Sequence, residues 1–421
     1  MGLEQALVCR KALAKLRNDP LGHLLDGFCD WLLDRGFARY TIRNHLSNVA
    51  HFSEHLGQRR AAPYQAVNRQ DVEGFLASYP SLCRHRSSRE AHLRRVRYSI
   101  NRFVEYLFQE GLFDPLPRRE LHQSLLDSYL EWMRTHQHTA AGTLGIRARS
   151  LTQFLRWLGP KATPEGLNTL DPSEVETFFL SYAQNAGRAT RRSMQSALRT
   201  FFRFCLYQGY IHEPLDLAVP TLRTYKLASV PQGLSDAQAR RVLECIDRKT
   251  KVGQRDYAII QLLYTYGIRG CQVRELRLKH IDWAKNLILF EASKGGKESR
   301  LPLTPEVGES LFDYLHNARP FTSHSHVFLT SRAPYHPLPR SNTLSAIIDR
   351  HVRAAGIEIP SKGSHVFRHC FATRMLKQGH SLKDIADVLG HRHLGTTFIY
   401  TKVDFNSLKQ VALELPEEVA R

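Results

Sequence analysis

Four short patterns in the last third of the chain collect residue types suited to work at a phosphodiester. The first is Tyr266-Gly267-Ile268-Arg269, running on to Glu275-Leu276-Arg277-Leu278-Lys279-His280-Ile281-Asp282. The second is Ser293-Lys294-Gly295-Gly296-Lys297-Glu298-Ser299-Arg300-Leu301-Pro302-Leu303. The third is His365-Val366-Phe367-Arg368-His369. The fourth is Leu389-Gly390-His391-Arg392-His393, with Tyr400 nine residues after His391. Guanidinium forks such as those of Arg269 and Arg368 match the geometry of phosphate oxygens. A phenol has a pKa of about 10, so it becomes a nucleophile only when activated or relieved of its proton. A lysine in a glycine turn, Lys294 or its neighbour Lys297, can hand a proton to a leaving oxygen. Any one pattern alone has a plainer reading, an interfacial tyrosine or a solvated turn lysine. His365 and His369 also stand at the i, i+4 spacing of metal ligands. There is no H-E-x-x-H glutamate, however, and Arg368 intrudes between them, so no metal is expected. His369 and His393 read as structural.

Taken together and in this order, the four patterns resemble the tyrosine recombinases, the lambda-integrase family, and among them the Xer-like site-specific recombinases. The resemblance covers the catalytic region, about 235–415, and extends to a helical unit before it, which corresponds to that family's core-binding domain. It implies cleavage and rejoining of duplex DNA by transesterification. Tyr400 would attack phosphorus, giving a 3′-phosphotyrosine and a free 5′-hydroxyl. Arg269 and Arg368 would hold the non-bridging oxygens, with His391 donating a further hydrogen bond. His365 would act as a proton acceptor or phosphate ligand near the tyrosine. Lys294, favoured over Lys297, would protonate the leaving 5′-oxygen. Preset cations would replace a metal, and the phosphotyrosine bond would conserve the strand energy, so no cofactor is expected; the chain has no Walker A motif or glycine-rich phosphate loop. One position departs from the family: an acid is common three residues after the first arginine, and here it is Gln272. Glutamine can accept a hydrogen bond and orient a neighbour but brings no charge. A type IB topoisomerase and a non-catalytic DNA-binding regulator are the competing readings. The spacing from Leu389-Gly390-His391 to Tyr400 argues against the first, and the intact constellation against the second.

The elements that must position these residues can be read from periodicity. Ser235 reads as an N-cap before Asp236. Two or three strands are expected between about Ile281 and Leu303, turning at Lys294-Gly295-Gly296-Lys297. Thr304-Pro305 reads as an N-cap followed by proline at the first helical position. A short strand is expected at Val327-Phe328-Leu329, and the remainder is mostly helical. Leu408, Val411, Ala412 and Leu415 form one face of a short helix, which the resemblance would dock on a neighbouring protomer.

The first half contains a repeat with a period of about 100 residues. Leu24 to Trp31 reads like Leu125 to Trp132, Phe52 to Gly57 like Phe154 to Gly159, Asp71-Val72-Glu73 like Glu174-Val175-Glu176, and Phe103 to Gly111 like Phe201 to Gly209. Phe28, Trp31 and Leu32 fall on one helical face, as do Phe103, Tyr106, Leu107 and Phe201, Phe204, Cys205. This aromatic stripe reads as core. Gly57, Gly111, Gly159 and Gly209 sit where helix C-caps are expected, and each unit reads as four or five helices. Arginines crowd the same stretch of both units: Arg84, Arg86, Arg94 and Arg95 in the first, Arg188, Arg191 and Arg192 in the second. With few acids nearby, they read as phosphate contacts. Three prolines between Glu213 and Gly233 mark an extended linker.

Composition agrees. The 421 residues carry a formal charge of +19, which calls for a polyanionic partner, nucleic acid first. No run of about 18 apolar residues exists, and charges scattered through Met1–Asp19 do not suit a signal peptide. The seven cysteines are far apart and never in a C-x-x-C pair, as fits a reducing cytoplasm. The expected fold is mainly α: two repeated SAM-like helical bundles, then an α+β catalytic domain with a small antiparallel sheet. The expected domains are 1–117, an extra helical DNA-binding unit; 118–212, the core-binding unit; 213–233, a linker; and 234–421, the catalytic domain. The expected partner is a double-stranded DNA target, with self-association to a tetrameric synapse and possible need of a partner recombinase or accessory protein. No membrane association is expected, and the expected place is the bacterial cytoplasm and nucleoid, in service of a mobile element.

Overall fold

A computed structural model of the chain describes residues 2–7, 9–59, 67–82, 89–114, 122–222, 233–292, 298–339, 341–359, 363–391, 395 and 397. Packing divides the chain into two compact units, one of Met1–Asp114 with Leu227–Arg421, the other Pro115–Lys226.

The first unit begins with a helical bundle: α1 (Gly2–Ala6), α2 (Arg10–Asn18), α3 (Gly22–Asp34), α4 (Arg39–Arg59), α5 (Arg69–Leu82) and α6 (Arg89–Gln109). Two short strands absent from the sequence reading, β1 (Val67–Asn68) and β2 (Phe113–Asp114), pair in parallel beside it. The other unit contains α7 (Gln123–His136), α8 (Ala141–Leu158), α9 (Pro164–Leu167), α10 (Pro172–Gln184) and α11 (Arg188–Tyr207). The repeat is structural as well as textual. Phe28 meets Phe103 edge-on at 5.0 Å in the first bundle, and Tyr129 meets Phe201 edge-on at 5.5 Å in the second. Phe52 on Phe75 at 5.3 Å is answered by Phe154 on Phe178 at 4.9 Å. Each pair is buried, so the aromatic stripe is core, as its spacing implies.

Four expectations need correction. The first bundle has six helices among its described residues, because α1 and α2 precede the repeated part. Gly57 caps nothing: α4 runs through it to Arg59, and Pro20 lies where its Cβ would stand. Gly111, Gly159 and Gly209 do follow helices with positive φ. The expected linker starts late, since Leu215 and Val219 are buried in the second bundle's core and Arg203 pairs with Asp216. No strand forms at 327–329; the segment makes isolated bridges, Arg277 to His326 and Leu329 to Pro337, and Val327 N–H donates to Leu276.

The C-terminal part is built on α12 (Asp236–Glu244), α13 (Lys251–Tyr266), α14 (Gly270–Glu275), β3 (Ile281–Asp282), β4 (Leu287–Phe290), β5 (Ser299–Pro302), α15 (Pro305–Asp313), α16 (Ser341–Ala354), α17 (His365–Lys377) and α18 (Leu382–Leu389). Ser235 caps α12 by accepting from Gln238 N–H, as expected. Pro305 starts α15, but Thr304 makes no side-chain cap bond. The three strands form an antiparallel sheet in the order β3-β4-β5, with Ile281 opposite Ile288 and Phe290 opposite Ser299. α13 is the axis of this part, with Ala258, Ile259, Ile260, Leu262 and Leu263 wholly buried. Its Asp256, also wholly buried, is held by Arg255, by His351 at 2.9 Å and by Arg350. That ionic cluster fastens α13 to α16, and its partners are what let a carboxylate stay charged in a core. In the same unit, Ala333 packs against the first bundle's core, and a Cβ on Gly36 would come within 3.0 Å of the Tyr335 ring.

Candidate active site

Two glycine-terminated helix ends place the site. α13 ends at Gly267 in the left-handed conformation, φ 59°, and a Cβ there would lie 2.7 Å from the Phe371 ring. Only glycine meets both conditions without strain. α18 ends at Gly390, also left-handed, φ 62°. α18 packs on α17 through Phe371, Ala372, Ile385 and Leu389, which brings the second end to the first.

Arg368, on α17, is buried between them. Its Nη1 donates to Gly267 O at 2.9 Å and its Nη2 to Leu389 O at 2.8 Å. Arg269 leaves the first end and reaches the second, its Nη1 and Nη2 lying 3.4 and 3.5 Å from Gly390 O. The carbonyl-rich ends of two helices thus hold two guanidinium groups, where the helix dipoles favour positive charge. His391 follows Gly390, half-buried, with its N–H donating to Ala386 O. Its Nδ1 lies 2.8 Å from the hydroxyl of buried Thr397. Burial, reinforced by Arg368 and then Arg269, pushes its pKa down to about 4. The structure therefore brings Arg269, Arg368 and His391 together.

Gln272 takes two bonds. Its Oε1 accepts from Arg269 N–H at 3.0 Å, and its Nε2 donates to Glu291 O at 3.2 Å. Glu291 directly follows β4 and stands three residues before Lys294 in the chain. Tyr266 holds the far end of β5, its hydroxyl donating to Pro302 O at 2.7 Å, opposite Leu287.

His365 is exposed in the first turn of α17, and its ring centroid lies 6.4 Å from that of His369, whose pKa burial lowers to about 4. Lys294, Lys297, His393, Tyr400 and the face from Leu408 to Leu415 lie outside the described residues, as do Arg84 and Arg86. Arg94, Arg95, Arg188 and Arg192 are exposed, on α6 and α11; Arg191 Nε donates to Ala186 O at 2.7 Å. Sequence reading missed Thr397 and the second bond of Gln272. A threonine six residues after a histidine carries no signal of its own, and the glutamine's partner is a backbone carbonyl nineteen residues away.

Residues 232–407 match the phage integrase family, and residues 119–209 match its N-terminal SAM-like domain. An integrase/recombinase of Sinorhizobium fredii, y4rA, is 32% identical over 411 residues, covering 97% of each chain. The chain belongs to the phage integrase family of tyrosine recombinases. The tyrosine recombinase XerC of Bacillus pumilus is 26% identical over 303 residues, 68% of this recombinase and 94% of that one. The XerH site-specific recombinase, solved on a palindromic difH substrate after cleavage, shares the fold with a TM-score of 0.54 at 23% identity, over 69% of this recombinase and 85% of XerH. The match to y4rA runs nearly the full length of both chains, so this recombinase shares its N-terminal bundle with a relative. Its class is that of a site-specific DNA recombinase, an enzyme of DNA strand transfer.

Proposed function

We propose that the recombinase cuts and rejoins its duplex through Tyr400, with the arginine pair as the phosphate clamp. The convergence of Arg269, Arg368 and His391 on two helix ends carries this reading. Tyr400 Oη forms a bond to phosphorus while the bond from phosphorus to O5′ breaks. Lys294 gives its proton to O5′, and the phenol proton leaves to His365 or to water. Attack by a 5′-hydroxyl of another strand reverses each transfer and frees the tyrosine. The arginine forks, anchored on backbone carbonyls, stabilise the extra charge of the pentacovalent phosphorane without first having to reorganise. With the Thr397 hydroxyl donating to His391 Nδ1, Nε2 carries the ring proton and can donate to a phosphate oxygen. Burial keeps the ring neutral while the site is empty, and an arriving phosphate anion favours its protonation.

The domain plan is a duplex-binding unit that starts at 118 and takes in Leu215 and Val219, a linker that begins only after them, 234–421 for chemistry and 1–117 as an added DNA-binding unit. Arg188, Arg191 and Arg192 serve the duplex in the second bundle, and Arg84, Arg86, Arg94 and Arg95 in the first. Strand exchange takes place in a tetramer of the chain on two target duplexes, in the service of a mobile element. The test is a nicked suicide duplex of the target with the variant Tyr400→Phe, which keeps the ring and removes the attacking atom. DNA affinity should hold and the covalent adduct vanish from denaturing gels. An adduct that persists overturns the assignment.

A further inference from the structure

The N-terminal bundle has a polar groove outside the apolar core that packs its helices. It lies between α4 and α6 and encloses about 480 Å³. Its floor is a buried trio. Ser99 Oγ donates to Arg95 O at 3.1 Å, accepts from Asn48 Nδ2 at 2.8 Å and lies 2.9 Å from His45 Nδ1. His45 is 3% exposed, and its Nε2 is buried with no hydrogen-bond partner. Exposed Asn44, Arg94, Arg95 and Tyr98 form the rim, the Tyr98 ring 5.6 Å from that of His45. No acidic residue lines the groove among the described residues.

The second bundle supplies a control. Aligning Phe52 with Phe154 and Phe103 with Phe201 places Ala197 where Ser99 stands and Arg147 where His45 stands. Ala197 is wholly buried there, so the fold tolerates an apolar residue at this point of the helix pair. Arg147 bridges outward to Ser196 at 2.7 Å instead of forming a floor. Buried hydroxyl, amide and imidazole groups in the first bundle cost desolvation that an alanine avoids. A polar floor under an amide-and-arginine rim is what reading a base edge requires: directional donors and acceptors held in place, with cations beside them for the backbone.

We propose that the α4–α6 groove is a second DNA-reading site, in which Asn44 and Tyr98 contact base edges or methyl groups in the major groove, the His45–Asn48–Ser99 floor positions them, and Arg94 and Arg95 hold the flanking phosphates. The target is then bipartite, a cleavage core plus a flanking segment read by the N-terminal bundle. This rests on the DNA-cleaving reading above and adds a specificity site to it.

The experiment uses the full chain. Duplexes holding the cleavage core and randomised flanks are selected by binding, and the affinity of variants is measured on selected and scrambled flanks across salt. Asn44→Ala should lose about 5- to 100-fold on the selected flank, change little on the scrambled one, and leave the salt slope unchanged. Arg94→Ala and Arg95→Ala should weaken both flanks alike, each lowering the salt slope by about 0.9. Ser99→Ala removes the acceptor of buried Asn48 Nδ2 and the partner of His45 Nδ1, so the thermal midpoint should fall modestly, and at temperatures well below it, where the chain is folded, the flank preference should fall while affinity for the scrambled flank holds. A selection that returns no flank preference overturns the site, as does Asn44→Ala weakening both flanks equally, or Ser99→Ala keeping full preference. Adduct formation on a nicked core duplex keeps the two readings apart: no adduct from the wild type defeats the cleavage reading, whereas an adduct without flank preference defeats only the groove.

Discussion

Gln272→Glu introduces the acid common in the family at this position, yet the geometry predicts that it slows this recombinase. The substitution keeps volume. A carboxylate still accepts from Arg269 N–H, as Oε1 does at 3.0 Å, but it cannot donate to Glu291 O, which Nε2 reaches at 3.2 Å. Gln272 is 8% exposed, so water does little to soften two acceptors facing each other. Losing a neutral hydrogen bond and leaving buried acceptors opposed costs about 1.5–3 kcal/mol. Glu291 leads in sequence to Lys294, so displacing its carbonyl should slow cleavage by about 10- to 100-fold at pH 7.5. The sign with pH is fixed. The neutral carboxyl can donate to Glu291 O and the ionised one cannot, so the ratio of variant to wild-type rate should rise as pH falls from about 7.5 towards 5.5. Burial helps by lifting the carboxyl's pKa. The assay is single-turnover adduct formation on a nicked duplex, with DNA affinity measured in parallel and expected to hold. Because Lys294 follows Glu291 by three residues and is the proposed proton donor, a 5′-bridging phosphorothiolate, which leaves with little protonation, should restore the variant's rate. A rate within twofold of wild type at pH 7.5, or a defect indifferent to pH, refutes the reasoning. Failure of the phosphorothiolate to rescue would move the effect to Arg269.

Lys294→Ala should lose most cleavage of ordinary DNA and recover it on the same phosphorothiolate; recovery in Lys297→Ala instead would transfer the role. Cleavage should continue in excess chelator, because Arg269, Arg368 and Lys294 supply the positive charge; a divalent requirement in the chemical step would contradict this. Gly267→Ala should cost about 1–3 kcal/mol in thermal or denaturant melts, from left-handed strain and contact with Phe371, and should slow adduct formation by disturbing the carbonyl that anchors Arg368. His391, with its pKa lowered from 6.5 to about 4, adds stability that is complete above pH 6.5 and is lost as pH falls towards 4. His391→Asn should therefore flatten the decline of the thermal midpoint over that window, and an unchanged decline would show the ring to be solvated.

The parts of this recombinase legible in its sequence are those where chemistry or packing constrains residue type locally. The aromatic stripe of each bundle repeats at helical spacing because one core is built twice, and so Phe28–Phe103 could be paired with Tyr129–Phe201 from text alone. The strands β3, β4 and β5 and the Ser235 cap announced themselves through residues with one common use. Gly57 misled because glycine serves two physical ends. At Gly267 it supplies a left-handed backbone, and at Gly57 it supplies absence of bulk against Pro20. Val327-Phe328-Leu329 misled because a buried apolar triplet needs no ladder when its neighbours satisfy it by isolated bridges.

How the arginines are held was beyond sequence reading altogether, and the reason is physical. Arg368 and Arg269 are oriented by carbonyls of Gly267, Leu389 and Gly390, and a backbone acceptor has no letter of its own. What the letters do record is the condition for those carbonyls to be exposed. A helix that ends in a left-handed glycine turns its last carbonyls away from a continuing ladder and offers them to another donor. Tyr266-Gly267-Ile268-Arg269 and Leu389-Gly390-His391 are therefore the same device used twice. Each is a terminated helix whose negative end holds a guanidinium and whose next residues supply a phosphate ligand. The glycines belong to the site's electrostatics as much as the charged residues they separate, because moving either carbonyl moves the clamp.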